Sequence, residues 1–259
     1  MAHPDIQKFA DMLYEAERTR GPIEPLTDMA PSLTADDAYK IQLANVSRYV
    51  KEGRVVSGKK IGLTSEGIQK QLGVHEPDYG HLYAHWDCSD GVVRSDELIV
   101  PNIECEVAFI LKEDLTGGSV TAEDVRKATD YVCASFEIVD SRIKDWKIKL
   151  QDTIADDGSS CRYVLGKKKV NIYDVDLPKV HLDFYKNGEK IKEGECSAVM
   201  GDPANTVAWL SNKLWSYGVH LKKGEVVLSG AVTAAPPARK GEHWKAEMGE
   251  LGTVECEFI

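Results

Sequence analysis

The sequence lacks any apolar run near the roughly 20 residues needed to cross a bilayer. Its longer apolar stretches, such as residues 225–233, stop well short of that. The start, Met1-Ala2-His3-Pro4-Asp5, has no basic segment followed by an apolar one, so no secretory signal is expected. It also lacks a CxxC pair. The six cysteines (Cys88, Cys105, Cys133, Cys161, Cys196 and Cys256) are scattered singly, which argues against a zinc site or a disulfide framework and for small reduced thiols. Positive charge is in deficit, with 32 basic against 42 acidic residues and a net charge of −10. That balance puts nucleic-acid binders and cationic membrane proteins well behind other classes. There is no GxSxG elbow, no P-loop and no dinucleotide fingerprint, which sets aside most serine hydrolases, kinases and nicotinamide enzymes. No repeat, low-complexity tract or long linker is visible. What remains is an acidic, soluble, cytoplasmic globular protein of 259 residues, long enough to bury a sizeable core.

The pattern along the chain predicts an α+β protein: an N-terminal helical portion over residues 1–60 and a β-rich catalytic domain over 61–259. Ile6, Phe9, Leu13 and Ala16 recur at helical spacing until Gly21-Pro22. Thr34-Ala35-Asp36-Asp37 reads as a capped start for a helix through Ala38, Ile41, Asn45 and Tyr49. A short helix is predicted from Ser65 through Ile68 and Leu72 to Gly73, followed by a turn-rich loop holding His75 and Asp78. Residues 103–111 alternate like a strand, 121–133 read as a capped helix, and 135–139 as a second strand. Asn187-Gly188 marks a hairpin turn, Asp202-Pro203 opens a helix ending at Gly218, and residues 226–229 and 254–259 read as strands.

The most informative feature is Glu104-x-Glu106. On a strand these side chains share one face, about 7 Å apart, while Ile103, Cys105 and Val107 point the other way. Ordinary surface glutamates on an edge strand are one reading. Two unpaired carboxylates on an otherwise apolar strand are costly to desolvate, and a divalent cation between them removes that cost. A third acid, Glu137, sits between Phe136 and Ile138 in a segment too apolar for a casual surface strand. Three oxygen donors suit Mg²⁺ or Mn²⁺, and no His or Cys lies at a spacing suited to zinc.

Arg142 follows closely and either clamps a substrate carboxylate or pairs with a nearby acid. Of Lys59 and Lys60 only one can point inward from a strand. An inward lysine beside a metal site holds a carboxylate or shuttles a proton, whereas a snorkelling surface lysine is the plainer alternative. Residues 152–160 read either as a plain Asx-type turn or as a loop offering hydroxyls and amides to an anion.

Taken together, Lys60-Ile-Gly-Leu-Thr-Ser65, Leu72-Gly-Val-His-Glu-Pro-Asp-Tyr-Gly80, Ile103-Glu-Cys-Glu-Val107, Glu137-Ile-Val-Asp-Ser-Arg142, Asp145-Trp-Lys147 and Asp152-Thr-Ile-Ala-Asp156 resemble the 2-keto-4-pentenoate hydratase family of the fumarylacetoacetate hydrolase superfamily. The resemblance runs essentially end to end. It implies a mixed β core with an N-terminal helical part. It implies a Mg²⁺ or Mn²⁺ site made by Glu104, Glu106 and Glu137, and a pocket for a 2-oxo- or 2-hydroxy-dienoate lined by Lys60, Asp78 and Ser160; Arg142 is kept beside these as a candidate substrate contact on its position alone. It implies a hydro-lyase of meta-cleavage aromatic degradation that adds water to 2-hydroxypenta-2,4-dienoate, forms a homo-oligomer and has an aldolase or decarboxylase of the same pathway as partner. Two relatives of that chemistry stay open: a 4-oxalocrotonate decarboxylase, and a 2-oxohept-4-ene-1,7-dioate hydratase in which Arg239 or Lys240 would read a distal carboxylate. The sequence departs from the family pattern at Asp157-Gly158, where Asn-Ala is usual.

Overall fold

A computed structural model describes residues 5–65, 69 and 76–259. Three helices come first: α1 (Ile6–Thr19), α2 (Leu26–Met29) and α3 (Ala35–Lys51). Asp5 caps α1 by accepting from the Lys8 amide, and Thr34 and Asp37 form a reciprocal capping box on α3. These caps satisfy backbone donors that the first helical turn leaves without partners. Phe9, Ala10, Leu13 and Ala16 form the buried face of α1, and the buried Asn45 of α3 donates to Ala10 O at 2.9 Å.

A six-stranded sheet follows, in the order β2-β1-β9-β4-β5-β6. Its strands are β1 (Val56–Gly62), β2 (Asp78–Tyr83), β4 (Asn102–Leu111), β5 (Thr129–Val139), β6 (Ser160–Leu165) and β9 (Val226–Leu228). All pairings are antiparallel except β1 with β9. The two edges approach each other: Asp87, just after β2, bridges to Tyr163 of β6, and the Tyr163 hydroxyl lies 3.2 Å from Ser57 Oγ of β1. The sheet is thus rolled, with an inner and an outer face. Side chains alternate between these faces.

On the outer face Ile61, Tyr79, Ile103, Cys105, Val107, Phe109, Phe136 and Ile138 join the main core. That core is shared with a second sheet, ordered β3-β11-β10-β7-β8. It comprises β3 (Val92–Val93), β7 (His181–Lys186), β8 (Glu189–Glu195), β10 (His243–Glu247) and β11 (Thr253–Phe258). Phe136, Phe184 and Trp244 form a continuous aromatic contact across the layers, with centroids 5.8 and 5.3 Å apart. Asn187 and Gly188, both at positive φ, make the β7–β8 turn as expected. On the inner face Leu82, Ala108, Cys133, Tyr163, Val226 and Leu228 pack into a smaller apolar cluster.

Three short or medium helices complete the described chain: α4 (Ala122–Ala128), α5 (Leu150–Ala155) and α6 (Pro203–Trp215). The helix expected over 121–133 ends at Ala128, because Thr129 to Cys133 continue β5 and pair with β4. Cross-strand pairing outweighs the helical pattern there. Asp78 lies on a strand rather than in the expected turn-rich loop, and residues 150–155 form a helix instead of part of a turn. α6 stops at Trp215, three residues before Gly218. β1 spans residue 60, where the helical portion was expected to end. The helix expected from Ser65 to Gly73, and His75, lie outside the described residues apart from Ser65 and Gln69.

All six cysteines are free, five of them buried. Among the described residues no helix is long and apolar enough to cross a membrane.

Candidate active site

The register of the rolled sheet gathers the charged residues. Gly62 pairs with Asp78, Lys60 with Gly80 and with Leu228, Leu228 with Ala108, and Glu104 with Glu137. Directly paired residues share a face, and so do alternate residues along one strand. Lys60, Asp78, Glu104, Glu106 and Glu137 therefore all point inward. Lys59 points outward, where its amine meets Glu225 Oε1 at 3.2 Å.

One carboxylate oxygen from each of Glu104, Glu106 and Glu137 lies within 4.8 Å of the other two. Glu106 and Glu137 are fully buried, and Glu104 is half-buried. Gly230, just beyond β9, donates its amide to Glu106 Oε2 at 2.6 Å. Lys60 Nζ stands 3.4 Å from Glu137 Oε1 as the ion-pair partner of that acid. Glu106 Oε1 and Glu137 Oε2 have no hydrogen-bond partner.

Three carboxylates against one ammonium leave a net charge of −2 in a buried space, which a folded protein does not tolerate uncompensated. Burial pushes the Glu137 carboxyl up to about 8, despite the opposing pull of Lys60. Burial, with Glu137 and Glu104 adding to it, holds Glu106 well above the ordinary carboxylate range. Glu104 is raised by burial too, against Lys60. Burial alone would lower the Lys60 ammonium, but Glu137, Asp78, Glu104 and Glu106 more than offset it and keep it charged. The unpartnered oxygens, the excess charge of two and the all-oxygen donor set fit a hard divalent cation such as Mg²⁺ or Mn²⁺.

A second group, His181, Asp183 and Glu193, also brings potential ligands together. It differs in that it lies on the partly exposed β7–β8 hairpin and already holds a cation, since Lys190 Nζ pairs with Asp183 at 2.5 Å and Glu193 at 2.6 Å.

Asp78 is buried beside the cluster. Its Oδ2 accepts from Thr153 Oγ1 at 3.0 Å, and its Oδ1 has no partner. Burial raises this carboxyl, with Lys60 opposing. Lys60 and Asp78 each face a glycine across the β1–β2 pair, and the glycines make the space they occupy. A Cβ on Gly62 would sit 2.2 Å from Asp78 Oδ1 and 3.3 Å from Lys60 Nζ. A Cβ on Gly80 would sit 2.5 Å from Ser160 Oγ and 1.9 Å from Asp157 O. Ser160, fully buried at the start of β6, has an unpartnered Oγ.

The structure gives Arg142 a different task from the substrate contact expected of it. Its guanidinium is buried and donates to Asp156 through Nε at 2.5 Å, to Asp140 O and Ser160 O through Nη1 at 2.8 and 2.9 Å, and to Asp156 O through Nη2. It braces the loop that leads into Ser160. Arg239 and Lys240 are exposed. Sequence reasoning did not single out Gly62 or Gly80, and reached Thr153 only as part of the 152–160 loop. The signal for the two glycines was the repeat of charged residue, spacer, glycine in Lys60-Ile61-Gly62 and Asp78-Tyr79-Gly80.

Comparison with known proteins agrees with this picture. Residues 77–259 match the model of the fumarylacetoacetate (FAA) hydrolase C-terminal family. The chain is 43% identical over 256 residues to a 2-hydroxyhexa-2,4-dienoate hydratase of Comamonas testosteroni, covering 98% of this chain and 97% of the relative. It is 39% identical over 253 residues to a 2-keto-4-pentenoate hydratase of Paraburkholderia xenovorans (strain LB400), covering 97% and 94%. Among solved structures, the 4-oxalocrotonate decarboxylase from Pseudomonas putida G7, complexed with magnesium and adipate, superposes with a TM-score of 0.96 at 33% identity, covering 100% of this chain and 99% of that one.

Proposed function

The chain belongs to the 2-keto-4-pentenoate hydratase family within the fumarylacetoacetate hydrolase superfamily, and from that premise we propose that it is a divalent-metal-dependent hydro-lyase. Its substrate is 2-hydroxypenta-2,4-dienoate or a close homologue, and its product from the five-carbon acid is 4-hydroxy-2-oxopentanoate. The observation that carries the reading is the inward-facing triad of Glu104, Glu106 and Glu137 with Lys60 against it.

Glu104, Glu106 and Glu137 would hold a Mg²⁺ or Mn²⁺ ion, which would supply Lewis-acid stabilisation for negative charge developing on the 2-oxygen of the substrate. As the dienol becomes the conjugated ketone the 2-hydroxyl proton is lost and C5 gains a proton; the Lys60 ammonium steadies the charge on the 2-oxygen and relays that proton, giving up one as it takes the other. Asp78, held by Thr153 through one oxygen, has its Oδ1 free to orient water and take its proton. The water oxygen then bonds to C4, and a proton is delivered to C3. Ser160 Oγ, which has no partner within the protein, donates to the substrate carboxylate or to the water. The metal ion and the Lys60 ammonium are then the positive groups that meet the anionic substrate inside a protein of net charge −10. The same reading makes the protein a cytoplasmic homo-oligomer acting in aromatic degradation, next in sequence to an aldolase or decarboxylase.

The test is loss of dienoate absorbance with purified protein across five-, six- and seven-carbon dienoates, with Mg²⁺, Mn²⁺ or EDTA. No hydration with either metal would sink the proposal. A decarboxylase reading is favoured by the TM-score of 0.96 with the magnesium-bound decarboxylase. CO₂ release from 2-oxo-3-hexenedioate, without hydration of the five-carbon dienoate, would select it instead.

A further inference from the structure

Between α5 and β6 the chain runs through three consecutive residues at positive φ: Asp157 at 56°, Gly158 at 64° and Ser159 at 54°. The two that are not glycine sit in a left-handed conformation that residues with a Cβ disfavour. Such a turn persists only where its surroundings hold it. One hold is Arg142 on Asp156, helped by the Ser141 and Ser159 hydroxyls, which donate to Asp156 Oδ2 at 3.1 and 3.0 Å.

The other hold is Asp157 itself. Its Oδ1 accepts from the backbone amide of His81 at 3.0 Å and lies 2.9 Å from His81 Nδ1. Because a carboxylate only accepts, Nδ1 carries the proton. β2 is an edge strand, so the His81 amide points out of the sheet and finds Asp157 where another strand would otherwise sit. Both residues are buried.

The turn touches the active site through its backbone. A Cβ on Gly158 would lie 3.2 Å from Lys60 Cδ and 3.3 Å from Lys60 Cε, so the turn lies along the lysine stem. Two residues later comes Ser160, its Oγ against Gly80.

We propose that Asp157 and His81 are positioning residues: their paired bonds clamp the left-handed turn onto β2, and the turn holds Lys60 and Ser160 in their places around the carboxylate triad. Neither touches the triad itself. The kinetic part rests on the hydratase reading; the clamp does not.

The conservative substitution is informative. Asn at 157 keeps an oxygen to accept both His81 bonds. Its amide replaces Asp157 Oδ2, which is buried without a partner in a small cavity that Gln42 and Asn45 also line. Gln42 Oε1 and Asn45 Oδ1 are likewise unpartnered acceptors. Asp157→Asn therefore retains the clamp, and Asp157→Ala removes it.

The experiment compares wild type, Asp157→Ala, Asp157→Asn and His81→Leu by steady-state kinetics, Mg²⁺ titration calorimetry without substrate, and amide hydrogen exchange of residues 157–160. Asp157→Ala is expected to lower kcat about 10- to 100-fold, with KM and Mg²⁺ affinity moving less than about threefold. Exchange across the turn should quicken by about tenfold or more as its local stability falls. Asp157→Asn should recover most of kcat and protection. His81→Leu keeps the backbone bond, so its loss should be smaller, and it serves if Asp157→Ala does not fold. Unchanged kcat in both Asp157→Ala and His81→Leu overturns the proposal, as does an Asp157→Asn enzyme no better than Asp157→Ala. If the wild-type chain hydrates no dienoate, the hydratase reading fails, and unchanged exchange in the variants is then what overturns the clamp.

Discussion

Lys60 Nζ lies 3.4 Å from Glu137 Oε1 although two strands, β9 and β4, separate theirs in the sheet. The contact is possible because the sheet is rolled and the lysine reaches across the inner face. It makes the amine part of the carboxylate site, where it offsets one of the three acidic charges and leaves two for a divalent cation. Four predictions follow from this arrangement and the residues around it.

Glu106→Gln should reduce metal-dependent turnover by about 10²- to 10³-fold, the scale on which removal of one electrostatic contact to a reacting centre acts. The metal-free variant should melt no lower than the metal-free wild type. An amide relieves repulsion with Glu137 and Glu104 and can still accept from Gly230. Scanning calorimetry in EDTA beside a Mg²⁺ titration checks both parts, and an unchanged Mg²⁺ affinity would remove Glu106 from the metal site.

The metal should matter more to stability as the pH rises. All three glutamates are raised above their ordinary values by burial, so the stabilisation from their neutral forms is fully present below about 4, their unfolded value. It is lost as pH rises through the folded values, about 8 for Glu137. A bound cation replaces those protons. The gap in Tm between Mg²⁺-loaded and EDTA-treated protein is therefore expected to widen across this range, and binding to release protons. A gap independent of pH would mean that these carboxylates are not the ligands.

Thr153→Val removes the hydroxyl that holds Asp78 Oδ2. The fold should lose about 1 kcal/mol, measurable by urea denaturation. Turnover should fall further than stability requires, because the buried Asp78 becomes free to turn toward Lys60. Mg²⁺ affinity should stay near the wild-type value.

Gly80→Ala drives a methyl group into Asp157 O and Ser160 Oγ, at 1.9 and 2.5 Å. The backbone oxygen cannot move aside without shifting the left-handed turn, so destabilisation of about 1–3 kcal/mol or more is expected, with activity falling in step. A stable, fully active Gly80→Ala enzyme would show that the turn does not need its present position.

The acidic pair on one face of β4 was legible because period-two alternation needs only neighbouring residues: Glu104 and Glu106 stand out against Ile103, Cys105 and Val107. The helical spacing of α1 and the capped start of α3 were legible for the same local reason. β2 was not. His-Glu-Pro-Asp-Tyr-Gly reads as a turn, and Asp78 to Tyr83 becomes a strand through pairing with β1. Likewise Thr129 to Cys133 carry a helical pattern but extend β5, because β4 offers a longer partner. For Arg142 both a substrate carboxylate and a nearby acid were open as partners. Its true partner, Asp156, lies 14 residues on and is brought back only by the turn before Ser160. Resemblance to a family filled in Lys60, Asp78 and Ser160, which spacing alone left open.

The three-residue strand β9 lies between β1 and β4 and is the shortest in its sheet. It arrives near the end of the chain, yet it joins the strand that carries Lys60 to the strand that carries Glu104 and Glu106. During synthesis both neighbours present bare edges until residues 226–228 emerge. Pairing over so long a sequence separation is slow, and open edges invite association with other chains. A chain truncated before β9 keeps every acid of the triad and the lysine as well. It has no means of bringing the two groups together, and is expected to aggregate rather than to bind metal weakly.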